Sequence, residues 1–185
     1  ARKVNNTDIY DLASITKIAS SAAALMKMEG EGKICIDSSL AYYLPDMVDT
    51  SEYGQIILKE MLTHQAGLTP WIPFYLKTLF KGKPKYEIYS IKKSDYFNTR
   101  VANELFIYSS YRDTIFKQIL SKELLAEKKY KYSDIGYYFV NDIICNYNWR
   151  NNVDACSSNK VCNFISVNVI SNHRFLTKCW NYCKG

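Results

Sequence analysis

The hydrophobic and polar positions of the first thirty residues predict an amphipathic helix. Residues 1–13 have the pattern of an exposed lead-in that turns into the helix near Asp11. Apolar residues then recur at helical spacing until Gly30 and Gly32 end the pattern. Small residues at positions 20–24 would let other elements pack closely around it, so we predict a buried central helix. Its apolar positions are Ile15, Ile18, Ala22, Leu25 and Met26.

Weaker patterns along the rest of the chain predict further helices around a long surface excursion. We expect a connector with one helical turn over 34–45, a helix over 56–64, and helices over 111–125 and after Ser133. Residues 71–100 are rich in aromatic residues and lysine and contain two prolines. That composition predicts a long excursion over the surface.

Overall composition narrows the class of protein without identifying it. A chain of 185 residues that is 48% hydrophobic and 23% charged is typical of one globular domain. Its net charge of +6 comes from scattered lysines, so binding to nucleic acid has weak support. No run approaches the ~20 apolar residues of a membrane span, and the N-terminus lacks the apolar core of a signal peptide. Because the chain begins at Ala1, we expect a processed protein or a fragment.

The composition changes after Val140. Ten of the fourteen asparagines and five of the six cysteines lie in residues 141–185. These cysteines contain no C-x-x-C pair and have only His173 nearby, so a zinc site has weak support, and a disulfide framework stays open. We expect either a divergent terminus or sequence in a shifted reading frame.

Ser14 and Lys17 form the first candidate for chemistry. Residues three apart share a helix face, which brings a hydroxyl and an amine within hydrogen-bond reach, as in an activated nucleophile. The same S-x-x-K spacing recurs at Ser90–Lys93 and Ser157–Lys160. Only Ser14 begins a helix, whose N–H groups and dipole can stabilise negative charge. The alternative interpretation is a capping serine with a surface lysine.

Tyr132 and Asp134, in the stretch YKYSDIGYYF, form the second candidate. A tyrosine beside a lysine ammonium loses its proton more readily and could then accept the proton of a serine. Looser matches occur at Tyr96–Asn98 and Tyr111–Asp113, but only Tyr132 is followed by a glycine and an apolar helix.

His64 offers a different solution, a Ser-His-Asp triad. It lies within LTHQAGL at a predicted helix end, where a histidine often bonds backbone or caps the helix. Both interpretations stay open, with less support for His173 in the unusual tail.

Three segments together resemble a known family. They are YDLASITK, LKEMLTHQAGL and YKYSDIGYYF. In this order and spacing they look like the serine β-lactamase-related family, which includes class C β-lactamases, D-alanyl-D-alanine carboxypeptidases and family VIII esterases. The segments WIPFY and YRDTIFKQIL resemble the bacterial subgroup fused to family 3 glycoside hydrolases. The resemblance covers residues 8 to about 142.

The resemblance implies a role for each matching residue. Ser14 corresponds to the acylated nucleophile, Lys17 to its partner in proton transfer and Tyr132 to the general base. Asp134 stands where many members have an asparagine that helps hold the lysine and the substrate, and a carboxylate there would keep Lys17 charged. The Ser14 N–H would be one oxyanion donor. A third motif, K-T-G or H-x-G, would supply the second donor, and the sequence after Tyr132 contains neither.

The implied fold is α+β, of the β-lactamase/transpeptidase type, with this chain forming mostly the helical part and the antiparallel sheet largely missing. We therefore expect a partial domain over 1–142 and an anomalous tail over 143–185. The implied function is that of an extracytoplasmic serine hydrolase acting on an amide, β-lactam or ester, without a cofactor or metal, and weak or inactive as this chain. The alternative is a non-catalytic module that binds cell-wall material or a glycan, or packs against a fused glycosidase.

Overall fold

The computed structural model describes residues 3–8, 10, 12–48 and 50–150. The tail cysteines from Cys156 onward, His173 and the Ser157–Lys160 match lie outside the described residues. Within these ranges the α-helices are α1 (Ala23–Gly30), α2 (Leu40–Tyr43), α3 (Pro45–Val48), α4 (Leu58–Leu62), α5 (Tyr111–Leu120) and α6 (Gly136–Arg150), and short 3₁₀ helices form at Glu52–Gln55 and Phe74–Thr78. None of these described helices has the length and apolar character needed to cross a membrane.

The first helix is wider at its start than a regular α-helix. A π-helical segment, Lys17–Ala22, runs directly into α1. The buried residues of this helix are Thr16, Ser21, Leu25 and Met28. The first two are five positions apart, which is the hydrogen-bond span of a π-helix rather than of an α-helix.

The predicted apolar face of this helix is wrong in part. Leu25 is buried, but Ile15, Ile18 and Met26 are exposed in the described structure, at 54%, 66% and 73%. A pattern counted at 3.6 residues per turn loses its register across the π-helical segment, because each hydrogen bond there spans one residue more. Ser21 and Thr16 take the inward positions instead.

The predicted excursion over 71–100 contains short strands. Strands β1 (Leu79–Phe80) and β2 (Lys83–Pro84) form one antiparallel hairpin. Strands β3 (Tyr89–Ser90), β4 (Thr99–Ala102) and β5 (Leu105–Ile107) form a second antiparallel sheet, in the order β3-β5-β4. One face of this sheet contributes to the core through Tyr89, Val101, Leu105 and Ile107.

Helices α4 and α5 end earlier than the sequence predicts, and after α5 the backbone bonds to another segment. Helix α4 ends at Leu62, and α5 ends at Leu120 rather than near position 125. The N–H of Leu125 donates to the carbonyl of Gly67 at 2.8 Å. Gly67 has φ +72°, and a Cβ there would lie 2.8 Å from the Leu125 carbonyl oxygen. This close backbone approach requires glycine.

Helix α6, which the sequence predicts after Ser133, forms the centre of the core. Phe139 and Val140 are fully buried, and Ile143 and Ile144 are nearly so. The helix continues past position 142, where we expected the domain to end, as far as Arg150. On the same helix the buried Asp142 carboxylate accepts hydrogen bonds from the Arg112 guanidinium of α5.

Candidate active site

Ser14 lies at the turn into the first helix. The preceding Ala13 has φ +44°, a left-handed conformation that is uncommon for a residue with a Cβ. The Ser14 carbonyl accepts the Lys17 N–H at 3.0 Å as the chain enters the helix. One turn along, Lys17 Nζ lies 3.2 Å from Ser14 Oγ and donates to it. The predicted contact between the two side chains is therefore present.

Tyr132 reaches the same serine from a segment 118 residues away. Its hydroxyl lies 2.7 Å from Ser14 Oγ and donates a hydrogen bond to it. The Lys17 ammonium lies 5.6 Å from the centre of the Tyr132 ring. Ser14 Oγ is thus within hydrogen-bond reach of both the Lys17 amine and the Tyr132 phenol.

Asp134 completes the cluster by holding Lys17. Its buried Oδ1 lies 2.6 Å from Lys17 Nζ, an ion pair rather than a well-aligned hydrogen bond. Burial lowers the pKa of Lys17, but the Asp134 carboxylate and, after it, Tyr132 outweigh this effect and raise the pKa above its ordinary value. Lys17 is therefore an ammonium at neutral pH, able to donate to Ser14 but not to accept its proton.

His64 contacts the tyrosine segment on both sides of Tyr132. Its carbonyl accepts the Lys131 N–H at 2.8 Å, and its Nδ1 accepts the Ser133 N–H at 3.2 Å. The ring centres of His64 and Tyr132 are 4.5 Å apart. A triad histidine would donate through Nδ1 to the acid. Here Nδ1 accepts from backbone, and the nearby acid Asp134 pairs with Lys17.

The loop after His64 also anchors the tyrosine segment, which sequence reasoning missed. The Thr69 carbonyl accepts the Ser133 hydroxyl at 2.7 Å, and the Pro70 carbonyl accepts the Asp134 N–H at 2.9 Å. The ring of Tyr137 lies 5.4 Å from Lys17 Nζ and is largely buried. These contacts depend on the pairing of two distant segments, so nothing in the spacing of either segment predicts them.

The other serine and tyrosine residues that match the sequence patterns of the site have different structural surroundings. Ser90 is in strand β3, and its hydroxyl donates to the Lys92 carbonyl rather than to a lysine amine. Tyr96 stacks on the ring of Tyr108. Tyr111 is buried in α5, where burial raises its pKa to about 12. Among the described residues, no group of three or more histidine, cysteine or acidic side chains is arranged to hold a metal.

Comparison with known proteins assigns the family. The sequence model of the family described as Beta-lactamase matches residues 1–146. The chain belongs to the Beta-lactamase family. Members of this family have the β-lactamase/transpeptidase-like fold and are serine hydrolases. The described helices and small antiparallel sheets are consistent with part of that fold.

Curated relatives agree with this assignment. A protein of Salmonella agona (strain SL483) named "Putative D-alanyl-D-alanine carboxypeptidase" is 29% identical over 143 residues, which is 74% of this chain and 28% of the relative. Proteins of the same name in Salmonella gallinarum and Salmonella newport are each 31% identical over 150 residues, 77% of this chain and 29% of theirs. The chain thus spans less than a third of these relatives. No solved structure matches it.

Proposed function

We propose that the chain carries the nucleophile and proton-transfer groups of a serine hydrolase that acts through an acyl-enzyme. One observation supports this most strongly. Ser14 Oγ lies within hydrogen-bond distance of both Lys17 Nζ and the Tyr132 hydroxyl, although Tyr132 is 118 residues away in sequence. A capping serine with a surface lysine would not require the tyrosine, or an ion pair to Asp134.

In the proposed acylation step, Ser14 Oγ attacks the carbonyl carbon of an amide, β-lactam or ester. Tyr132, in its phenolate form, takes the proton of the serine hydroxyl as the new bond forms. The Lys17 ammonium, held by Asp134, stabilises that phenolate and the developing charge. Tyr132 then gives that proton to the leaving group as its bond to the carbonyl carbon breaks, and water later hydrolyses the ester on Ser14.

The 185-residue chain by itself should acylate slowly. The Ser14 N–H would be one oxyanion donor, and in the family the second donor comes from the K-T-G or H-x-G motif, which the sequence after Tyr132 lacks. Losing one such donor costs about 3–4 kcal/mol, or a factor of 10² to 10³ in rate.

We propose the substrate, the location and the neighbouring domain from resemblance alone. The relatives' name makes a peptide ending in D-alanyl-D-alanine the first substrate to try. The resemblance to enzymes that act on cell-wall material favours a setting outside the cytoplasm. The separate resemblance of WIPFY and YRDTIFKQIL favours a neighbouring family 3 glycoside hydrolase domain. We keep the division at 142, with a partial catalytic domain before it, as part of this proposal.

A fluorescent penicillin and a fluorophosphonate probe test the proposal directly. We expect slow covalent labelling that Ser14→Ala abolishes, with Ser90→Ala as the matched control that leaves it unchanged. A longer protein containing a third motif should label 10²- to 10³-fold faster. If that longer protein also stays unlabelled, the enzymatic proposal is wrong and the non-catalytic binding module takes its place.

A further inference from the structure

We propose that His64 is a positioning residue that fixes Tyr132 against Ser14 by binding the peptide groups on both sides of the tyrosine. The inference deepens the proposed function and rests on it, because it assigns His64 a role only in placing the proposed base. In this proposal His64 holds the tyrosine in place and is not the base of a Ser-His-Asp triad.

The hydrogen bonds bracket Tyr132. The N–H before the tyrosine, from Lys131, and the N–H after it, from Ser133, both donate to His64, the first to its carbonyl and the second to ring Nδ1. Because His64 binds the backbone on both sides of Tyr132, it fixes both the position and the orientation of the tyrosine. The tyrosine is half-exposed, so few packing contacts would otherwise hold its ring.

The backbone conformation of His64 makes this double contact possible. Its φ is +59°, in the left-handed region that residues other than glycine seldom adopt. In this conformation its carbonyl and its ring both face the backbone segment 131–133. A strained residue that makes two bonds to the same segment is the kind of outlier that is associated with functional sites.

The ring can accept only in one protonation state. Nδ1 takes the Ser133 N–H, so the imidazole is neutral with its proton on Nε2. Burial, followed by the nearby Lys17 charge, lowers the pKa of His64, which favours this neutral form. The tilted ring packs 4.5 Å from the tyrosine ring and closes one side of it.

Two substitutions separate the acceptor from the ring. His64→Asn keeps an acceptor oxygen near the position of Nδ1, and asparagine tolerates the left-handed conformation. His64→Phe keeps an aromatic ring against Tyr132 but removes the acceptor. We expect His64→Phe to slow probe labelling of Ser14 at least 10-fold and His64→Asn to stay within about 3-fold of the parent protein. Equal rates for all three proteins would overturn the proposal.

A second measurement does not depend on activity. In the unaltered protein, ¹⁵N shifts should show His64 as the Nε2–H tautomer, and the Ser133 amide should exchange slowly with solvent. The Ser133 amide should exchange faster in His64→Phe and return toward the parent rate in His64→Asn. A protonated Nδ1, or equal exchange rates of the Ser133 amide in the parent and His64→Phe, would refute the positioning role even if Ser14 labels well. If Ser14 never labels but these signals behave as expected, the positioning is correct and only the proposed activity fails.

Discussion

Replacing Asp134 with asparagine tests how much free energy the ion pair with Lys17 contributes. The two charged atoms are 2.6 Å apart, and the side chains are 18% and 29% exposed. Exposed pairs contribute about 0.2–1 kcal/mol, whereas breaking a buried pair costs about 3–5 kcal/mol. A partly buried pair lies between these limits, so we expect a coupling free energy of about 1–2 kcal/mol.

Urea unfolding of four proteins measures this coupling. They are the parent, Asp134→Asn, Lys17→Met and the double variant, and their unfolding free energies form a double-mutant cycle. The Lys128–Glu60 pair provides a matched control, at 2.8 Å but with side chains 55% and 32% exposed, and its coupling should not exceed about 1 kcal/mol. A Lys17–Asp134 coupling no larger than that of the control would refute the reasoning.

The same pair predicts a pH dependence of stability. Because the folded-state pKa of Lys17 is raised above its ordinary value of 10.5, the pair contributes fully below pH 10.5. The contribution is lost as the pH rises through the folded-state pKa. The difference in unfolding free energy between the parent and Asp134→Asn should therefore be constant from pH 7 to 9 and shrink above pH 10.5. A difference that stays constant through this range would show that the charge of Lys17 is not its source.

Two further substitutions test the scaffold around the site by urea unfolding. Gly67→Ala should lower the free energy of unfolding by about 2–4 kcal/mol, because it combines left-handed strain with a clash against the Leu125 carbonyl. The control Gly82→Ala has φ +79° but open space around the added Cβ, so it should lower the free energy of unfolding by only about 1–2 kcal/mol. Equal losses in the two variants would contradict the clash. Arg112→Met should cost about 2–3 kcal/mol at pH 7, less than a fully buried pair because Arg112 is partly exposed. Burial raises the pKa of Asp142, and Arg112 opposes that rise, so without Arg112 the carboxyl protonates more readily. The loss of unfolding free energy in Arg112→Met should therefore be smaller in acid. An equal loss at pH 4 and pH 7 would show that the charge of Asp142 is not its source.

The sequence predicted the local geometry of the site better than its distant contacts. Ser14 and Lys17 are three residues apart, and helix geometry alone accounts for their contact at 3.2 Å. That Tyr132 meets Ser14 followed from resemblance and not from spacing, since hydrogen bonds across 118 residues leave no local pattern. The role of His64 depends on a left-handed backbone conformation that the spacing of residues around it does not predict.

The errors in the fold prediction also have physical causes. Hydrophobic periodicity assumes one helix geometry throughout, and the π-helical segment Lys17–Ala22 changes that geometry within a single helix. The strands over 79–107 are two to four residues long, too short for an alternating pattern to stand out. Helix ends were misplaced where the next segment bonds across the chain, as Leu125 does to Gly67.

The π-helical segment has a consequence for how this helix can be altered. It works as a spacer of one residue between the reactive end, with Ser14 and Lys17, and the end anchored in the core by Leu25. Deleting one residue within 18–21 would let the segment wind as a regular α-helix, and because the deleted residue is the one that the wider turn accommodates, the reactive end would keep nearly its present direction. The extra residue instead shifts by one position which side chains before it face the core, so a sequence alignment that compares Ser14 and Lys17 with the helix of a relative should allow a one-residue gap within 18–21.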